Sequence, residues 1–133
     1  MSDPVSDLNT QRKGYLGEQA VINQIIKDKQ LKVYKSVVDD SGVDLVVDTG
    51  TCFKKVQVKT KTKTRTSKTS IEVDVEKYVG SDIDIIAIYY EPLDMVAYVP
   101  YNNQKDITLA VKRAKNGQKH NRTWFFQFLE FPI

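Results

Sequence analysis

Four residues of this chain are of the types that hydrolyse a phosphodiester: Glu18, Asp44, Gln57 and Lys59. That reaction needs a hard divalent cation to neutralise the phosphate, an activated water and a compensating positive charge. Magnesium is held by one or two carboxylates, amide or backbone oxygens and retained waters. Asp44, Glu18, the Gln57 side chain and the Val58 carbonyl are oxygen donors of that kind. Lys59 would supply the positive charge, orienting the attacking water and stabilising charge that develops on a phosphorane-like transition state. It is less suited to be the proton acceptor, because an ammonium has no lone pair until it has lost a proton.

Such a set works only if the chain brings it together, and the spacing of the residues suggests how. Residues 10–29 have helical character, with Thr10 or Asn9 as N-cap and no internal proline. On a helical wheel Tyr15, Val21, Ile22, Ile25 and Ile26 share one face, and Glu18 falls between Ile22 and Ile25. A carboxylate at that place needs a partner, because burying it alone is costly. That partner is a cation or a hydrogen-bonding group; the plainer alternatives are a wet edge of the face or a pairing of Glu18 with a nearby lysine.

Val43 to Asp48 and Lys54 to Lys61 read as two strands of a hairpin joined around Thr49-Gly50-Thr51-Cys52. If Gly50-Thr51 is a two-residue type II′ turn, Asp44 faces Gln57. Lys59 then lies on the same side as Gln57, and Leu45, Val47, Val56 and Val58 form the apolar side. A single bulge would break that register. The pattern fits an acid, an amide and a lysine gathered at a sheet surface, and it also fits an ordinary polar sheet face.

Around this hairpin, residues 32–38 read as a strand ended by the turn cluster Asp39-Asp40-Ser41-Gly42. Residues 60–70 alternate bases and hydroxyls without an apolar residue, a loop or strand extension outside any core. Ile71 to Val75 alternates like a strand, while Val75 to Tyr78 is also compatible with a short helix. Ile83 to Tyr89 is mostly apolar and β-branched, as in a strand covered on both faces, and Met95 to Val99 is its expected neighbour. Ile107, Val111 and Ala114 have weak helical spacing, and Trp124 to Phe131 reads as a terminal strand. The pattern predicts a single α/β domain over 1–133, a mixed sheet flanked by helices. Its core spans about 10–100, with a basic and aromatic segment at 101–133.

A length of 133 residues with 41% hydrophobic composition supports a core without disulfides. The one cysteine, Cys52, excludes a disulfide framework or a multi-cysteine zinc site and points to a reducing compartment. No apolar run is long enough to span a membrane, and the N-terminus has no signal-peptide pattern, so the expected location is intracellular, cytoplasmic. The net charge of +3 hides a segregation: residues 49–70 carry +7, residues 105–122 carry +5, and the remainder −9. This suggests a polyanion-binding surface on an acidic body, with a merely solvated charged face as the alternative. The candidate contacts to such a polyanion are Lys61, Lys63, Arg65 and Lys68 in the first stretch, and Lys112, Arg113, Lys115, Lys119 and Arg122 in the second.

Gly14-Tyr15-Leu16-Gly17-Glu18, Gly42-Val43-Asp44-Leu45-Val46-Val47-Asp48 and Val56-Gln57-Val58-Lys59-Thr60 together resemble the core of the PD-(D/E)XK nuclease superfamily. The resemblance is to the branch of archaeal Holliday-junction resolvases and cyanobacterial-type group I intron homing endonucleases. Val43 stands where the motif name has proline. Gln57 stands where it has an acid, as in the Gln-x-Lys variant of the intron-endonuclease branch. Tyr78 to Pro100 and Lys115-Asn116-Gly117-Gln118-Lys119 with Trp124 extend the likeness to about residues 12–124.

What the resemblance implies is a restriction-endonuclease-like fold and a magnesium-dependent DNA endonuclease, with manganese as a possible substitute, of homing or restriction type. A structure-selective Holliday-junction resolvase is the alternative within that class. A catalytically inactive nucleic-acid-binding module is the alternative outside it, for which the missing acid at Gln57 argues. Cutting both strands of a duplex with one site per chain calls for a homodimer or homotetramer. His120, the only histidine, has no nucleophile elbow to accompany it in a triad, and Cys52 reads as structural.

Overall fold

A computed structural model of the chain describes residues 5, 8–38, 41–65, 69–112 and 122–133. Helix α1 (Thr10–Gln24) begins where the Asn9 side chain accepts the Arg12 N–H at 2.9 Å. It widens into a π turn at Ile25–Lys29 and stops at Gln30, whose φ is +57°. Val21 and Ile25 are fully buried, whereas Tyr15 and Ile26, expected on the same face, are exposed. The stripe that meets the sheet is narrower than the wheel suggested.

Seven strands follow: β1 (Lys32–Lys35), β2 (Leu45–Asp48), β3 (Phe53–Lys61), β4 (Ser70–Asp74), β5 (Ile85–Tyr90), β6 (Met95–Pro100) and β7 (Asp106–Ala110). Five of them form a mixed sheet in the order β1-β2-β3-β5-β6, in which only β3 and β5 are parallel. Parallel neighbours cannot be joined by a tight turn. The connection from β3 to β5 therefore crosses over the sheet, and it contains β4, which pairs with β7 in a separate two-stranded sheet.

The hairpin register is the expected one, Leu45 opposite Val56 through Asp48 opposite Phe53. Its turn is closed by the Thr49 N–H donating to the Cys52 carbonyl at 2.9 Å. Gly50 has φ +92° and Thr51 is not in the positive-φ region, which is the type II′ pattern.

Alternation along the strands separates two apolar clusters. Leu45, Val47, Val56, Val58, Ile85, Ala87 and Tyr89 pack under α1 with Val21 and Ile25. Ile86, Ile88 and Tyr90 point the other way, against Ile71, Val73, Tyr78, Ile107, Leu109 and Phe125. Every residue of β5 is buried, as expected of a strand covered on both faces.

Three expectations for the flanking segments are corrected. Strand β1 ends at Lys35 rather than at residue 38. The segment around Ile107 is a strand, because Ile107 and Leu109 alternate inward with Thr108 outward. The aromatic end is a 3₁₀ turn over Phe125–Phe128 with a single bridge from Trp124 to Ala110, not a strand. Residues 70–78 hold both readings in succession: strand β4, then a 3₁₀ turn over Glu76–Tyr78. Among the described residues no helix is long and apolar enough to cross a membrane.

Candidate active site

The site grows from the place where the β2–β3 ladder ends. The regular pairing stops at Leu45, and the Asp44 N–H donates to the Val56 carbonyl at 2.9 Å instead of continuing the register toward Gln57. The expected direct opposition of Asp44 and Gln57 is thus replaced by a local offset, fixed from the other side by the Ser36 N–H donating to the Asp44 carbonyl at 3.0 Å. The Asp44 side chain takes over the missing ladder bond. Its Oδ2 accepts the Val58 N–H at 2.8 Å, a charge-assisted bond between the start of β2 and the middle of β3.

Gln57, the residue between, is 9% exposed, and its Nε2 donates to the Val58 carbonyl at 3.0 Å. Two residues on, the Lys59 ammonium stands 4.9 Å from the centroid of the Tyr78 ring. Asp44, Gln57 and Lys59 line one open cleft of about 510 Å³ with Ser41, Gly42, Lys77, Tyr78 and Ser81. Gly42 has φ +77°, and a Cβ there would lie 3.1 Å from the Tyr78 ring, so glycine lets the loop before Asp44 approach that wall.

Lys77 also faces the Tyr78 ring, at 5.2 Å from its centroid. Two ammonium groups several ångströms apart repel by about 0.5 kcal/mol in water. The ring attracts each by about 0.5–1 kcal/mol, which offsets that repulsion.

Glu18 is delivered differently. At Gly17 helix α1 lies so close to β3 that a Cβ would sit 1.8 Å from Thr60 Oγ1. This close approach sets Glu18 on the helix-covered side of the sheet. There its Oε1 is 3.1 Å from Lys35 Nζ, an ion pair at the end of β1. Glu18 is not among the residues lining the cleft. The four sequence candidates therefore divide into three on the cleft wall and one paired with a lysine.

The donor atoms suit a hard cation. Asp44 gives a carboxylate, Gln57 an amide oxygen and Val58 a carbonyl, and no cluster of three His, Cys, Asp or Glu side chains exists among the described residues. A cation held by so few charges keeps much of its water, as magnesium does.

Described parts of the two basic stretches, distant in sequence, meet in space. The Thr69 carbonyl accepts the N–H groups of Val111 at 2.8 Å and Lys112 at 3.1 Å, and the Ala110 N–H donates to the Thr123 carbonyl at 2.7 Å. Lys63 and Lys112 are exposed and Lys61 is half-buried at the end of β3. Arg65 is paired with Glu72 at 3.1 Å, and the Arg122 guanidinium lies 4.9 Å from the Trp124 ring centroid. Lys68, Arg113, Lys115 and Lys119 lie outside the described residues. Lys55 is drawn away from the cleft by an ion pair with Asp82, whose hydrogen bond raises the lysine and lowers the aspartate from their ordinary ranges.

Sequence reasoning missed Ser41, Lys77, Tyr78 and Ser81 as cleft residues. Gly42 ahead of Asp44 was the available signal for the first of them. The others come from the β3–β5 crossover, whose path no local pattern discloses.

A family model for PD-(D/E)XK endonucleases matches residues 8–131. Among solved structures, a bacterial homing endonuclease superposes with TM-score 0.69 at 27% identity, over 90% of this chain and 86% of that one. The Holliday junction resolvase of the archaeal hyperthermophile Archaeoglobus fulgidus gives TM-score 0.49 at 12% identity, over 81% of this chain and 92% of that one. No curated protein sequence matches the chain. The architecture is the restriction-endonuclease-like α/β core: a mixed five-stranded sheet with an N-terminal helix.

Proposed function

The chain belongs to the PD-(D/E)XK endonuclease family, and we propose that it is a homing-type DNA endonuclease dependent on a divalent cation, acting as one nuclease domain. The observation that carries this reading is the gathering of Asp44, Gln57 and Lys59 on one open cleft. The likeness to a bacterial homing endonuclease over most of both chains supports the homing type.

Asp44, Gln57 and the Val58 carbonyl would hold magnesium, or manganese in its place. The ion's chemistry is to neutralise the scissile phosphate and make a bound water more acidic. Asp44 has a second duty: by accepting the Val58 N–H it fixes β3 so that Gln57 and Lys59 project from successive same-side positions. Gln57, buried and bonded to the next carbonyl, contributes an oriented amide without adding charge. Lys59 donates to a phosphoryl oxygen and orients the attacking water, its ammonium steadied over Tyr78. The two basic stretches joined at Thr69 grip backbone phosphates beside the cleft. Two chains or more assemble so that both strands of a duplex are cut.

The test offers supercoiled plasmid, linear duplex and a four-way junction with magnesium to wild type and to Lys59→Ala. Duplex cleavage that needs magnesium and is lost in Lys59→Ala is the expected result. Symmetric nicking confined to the junction would replace the homing reading with a resolvase. Absence of metal-dependent cleavage on every DNA would leave a binding module, and equal cutting by the variant would refute the assignment of cleavage to this cleft.

A further inference from the structure

Lys77 has no role in the reading above, yet it stands on the same cleft as Lys59 and on the same aromatic ring. With the two Nζ atoms 4.9 and 5.2 Å from the Tyr78 centroid, they are at most about 10 Å apart. Tyr78 is 7% exposed and packed in the apolar cluster that covers the sheet, so the ring is a fixed platform rather than a drifting neighbour. Lys77 itself is exposed. It is projected from the short turn after β4, where Asp74 Oδ1 accepts the Glu76 N–H at 3.0 Å.

The charge around the two lysines is asymmetric. On the cleft side the only carboxylate is Asp44 among the lining residues, so the lysines leave that side positive. On their other side a second concavity is lined by Lys59, Lys77, Asp74 and Glu76. A phosphate is repelled by the two acids there and attracted on the Asp44 side. The lysines thus form one rim of a path for a polyanion.

We propose that Lys77 is a second phosphate-binding residue of the cleft, taking a phosphate adjacent to the one Lys59 addresses, with Tyr78 setting the spacing of the two ammonium groups. Phosphates of one strand rise about 3.4 Å per step along the duplex axis. Ammonium groups within about 10 Å of each other therefore reach phosphates no more than about three steps apart, neighbouring ones included. Lys77 positions the strand and holds it, while Lys59 acts at the scissile phosphate. The inference rests on the nuclease reading of the cleft.

Fluorescence anisotropy with the full chain and a mixed-sequence DNA duplex, over a salt series in chelator, tests the binding. Kinetics on whichever DNA the wild type cuts test the split between the lysines. Lys77→Ala should flatten the dependence of log K on log salt by about 0.9, the share of one phosphate contact. It should raise KM several-fold with kcat nearly kept, whereas Lys59→Ala loses kcat. Lys77→Arg, which keeps the charge, should restore both slope and KM. A Lys77→Ala protein with wild-type slope and wild-type KM overturns the inference while leaving the nuclease reading intact. A wild type that neither binds nor cuts DNA overturns the nuclease reading and the inference with it. Because Lys77 is exposed, thermal unfolding of Lys77→Ala should match wild type, and a lowered midpoint with unchanged salt slope assigns it a structural role instead.

Discussion

Asp44 is placed so that its charge and its shape can be tested apart. Its Oδ2 accepts the N–H of Val58, a residue only 8% exposed, at 2.8 Å. In Asp44→Ala that N–H loses its acceptor in a place water reaches poorly. A hydrogen bond to a charged group contributes about 1.5–3 kcal/mol, and this is the expected loss of stability. For a chain of 133 residues, each kcal/mol moves the unfolding midpoint by about 3–4 °C, so Asp44→Ala should unfold roughly 5–10 °C lower. Asp44→Asn keeps an acceptor oxygen of the same reach. A neutral bond is about half as strong as a charge-assisted one, so its loss should be about 1 kcal/mol.

Cleavage should order the variants differently, since both lose the carboxylate. A bound cation provides several kcal/mol of transition-state stabilisation. Losing about 3–4 kcal/mol of it slows the reaction by about 10²–10³-fold. Circular dichroism melts and plasmid-cleavage time courses with magnesium check the two quantities. Asp44→Asn should be nearly as stable as wild type and nearly inactive, and Asp44→Ala inactive and less stable. Wild-type cutting by Asp44→Asn would refute the metal role, and a wild-type midpoint for Asp44→Ala would refute the structural one.

Two further outcomes follow from the packing. In Gly17→Ala the new Cβ meets Thr60 Oγ1 at 1.8 Å and Thr60 Cβ at 3.0 Å, and rotating the threonine relieves only the first. Overpacking of about 1–3 kcal/mol should outweigh the roughly 1 kcal/mol that alanine gains over glycine in a helix. Urea unfolding should show a net loss, partly recovered by Thr60→Ala, and a variant more stable than wild type would contradict the close approach of α1 to β3. Tyr98 is fully buried, its hydroxyl donating to Gln24, and burial, with Asp28 adding to it, pushes the phenol far above the usual tyrosine range. Since the folded pKa is raised, the contribution is complete below the unfolded value of about 10 and is lost as pH rises beyond it. Melts between about pH 8 and about pH 11 should fall more steeply for wild type than for Tyr98→Phe, and parallel curves would reject the assignment.

The parts of this protein that its sequence discloses are those determined over a few neighbouring residues. The β2–β3 hairpin was legible because Leu45 and Val47 alternate in phase with Val56 and Val58 around a glycine that the turn requires. That placed Gln57 and Lys59 on one side, and both line the cleft. The Asp44 offset was not legible, because it depends on the Ser36 N–H, which arrives from another strand. The same holds for β7. Ile107 and Val111 sit at helical spacing and Ile107 and Leu109 at strand spacing, and pairing with β4, more than thirty residues earlier, decides between them. Tyr15 and Ile26 satisfied the wheel but not the sheet, because close contact at Gly17 leaves α1 only a narrow stripe to bury.

The largest omission has a single physical origin. Because β3 and β5 are parallel, the chain must cross the sheet between them, and that crossing supplies Lys77, Tyr78 and Ser81 to the cleft. It also carries the first basic stretch past Lys61 and, through Thr69, ties it to the second at Lys112. The wall facing Asp44 and the segment proposed to grip the backbone are thus one covalent connection, held down by the pairing of β4 with β7. A substitution that loosens β4 from β7 should accordingly weaken DNA binding and displace the Tyr78 wall together, while the β2–β3 hairpin with Asp44 and Gln57 keeps its register.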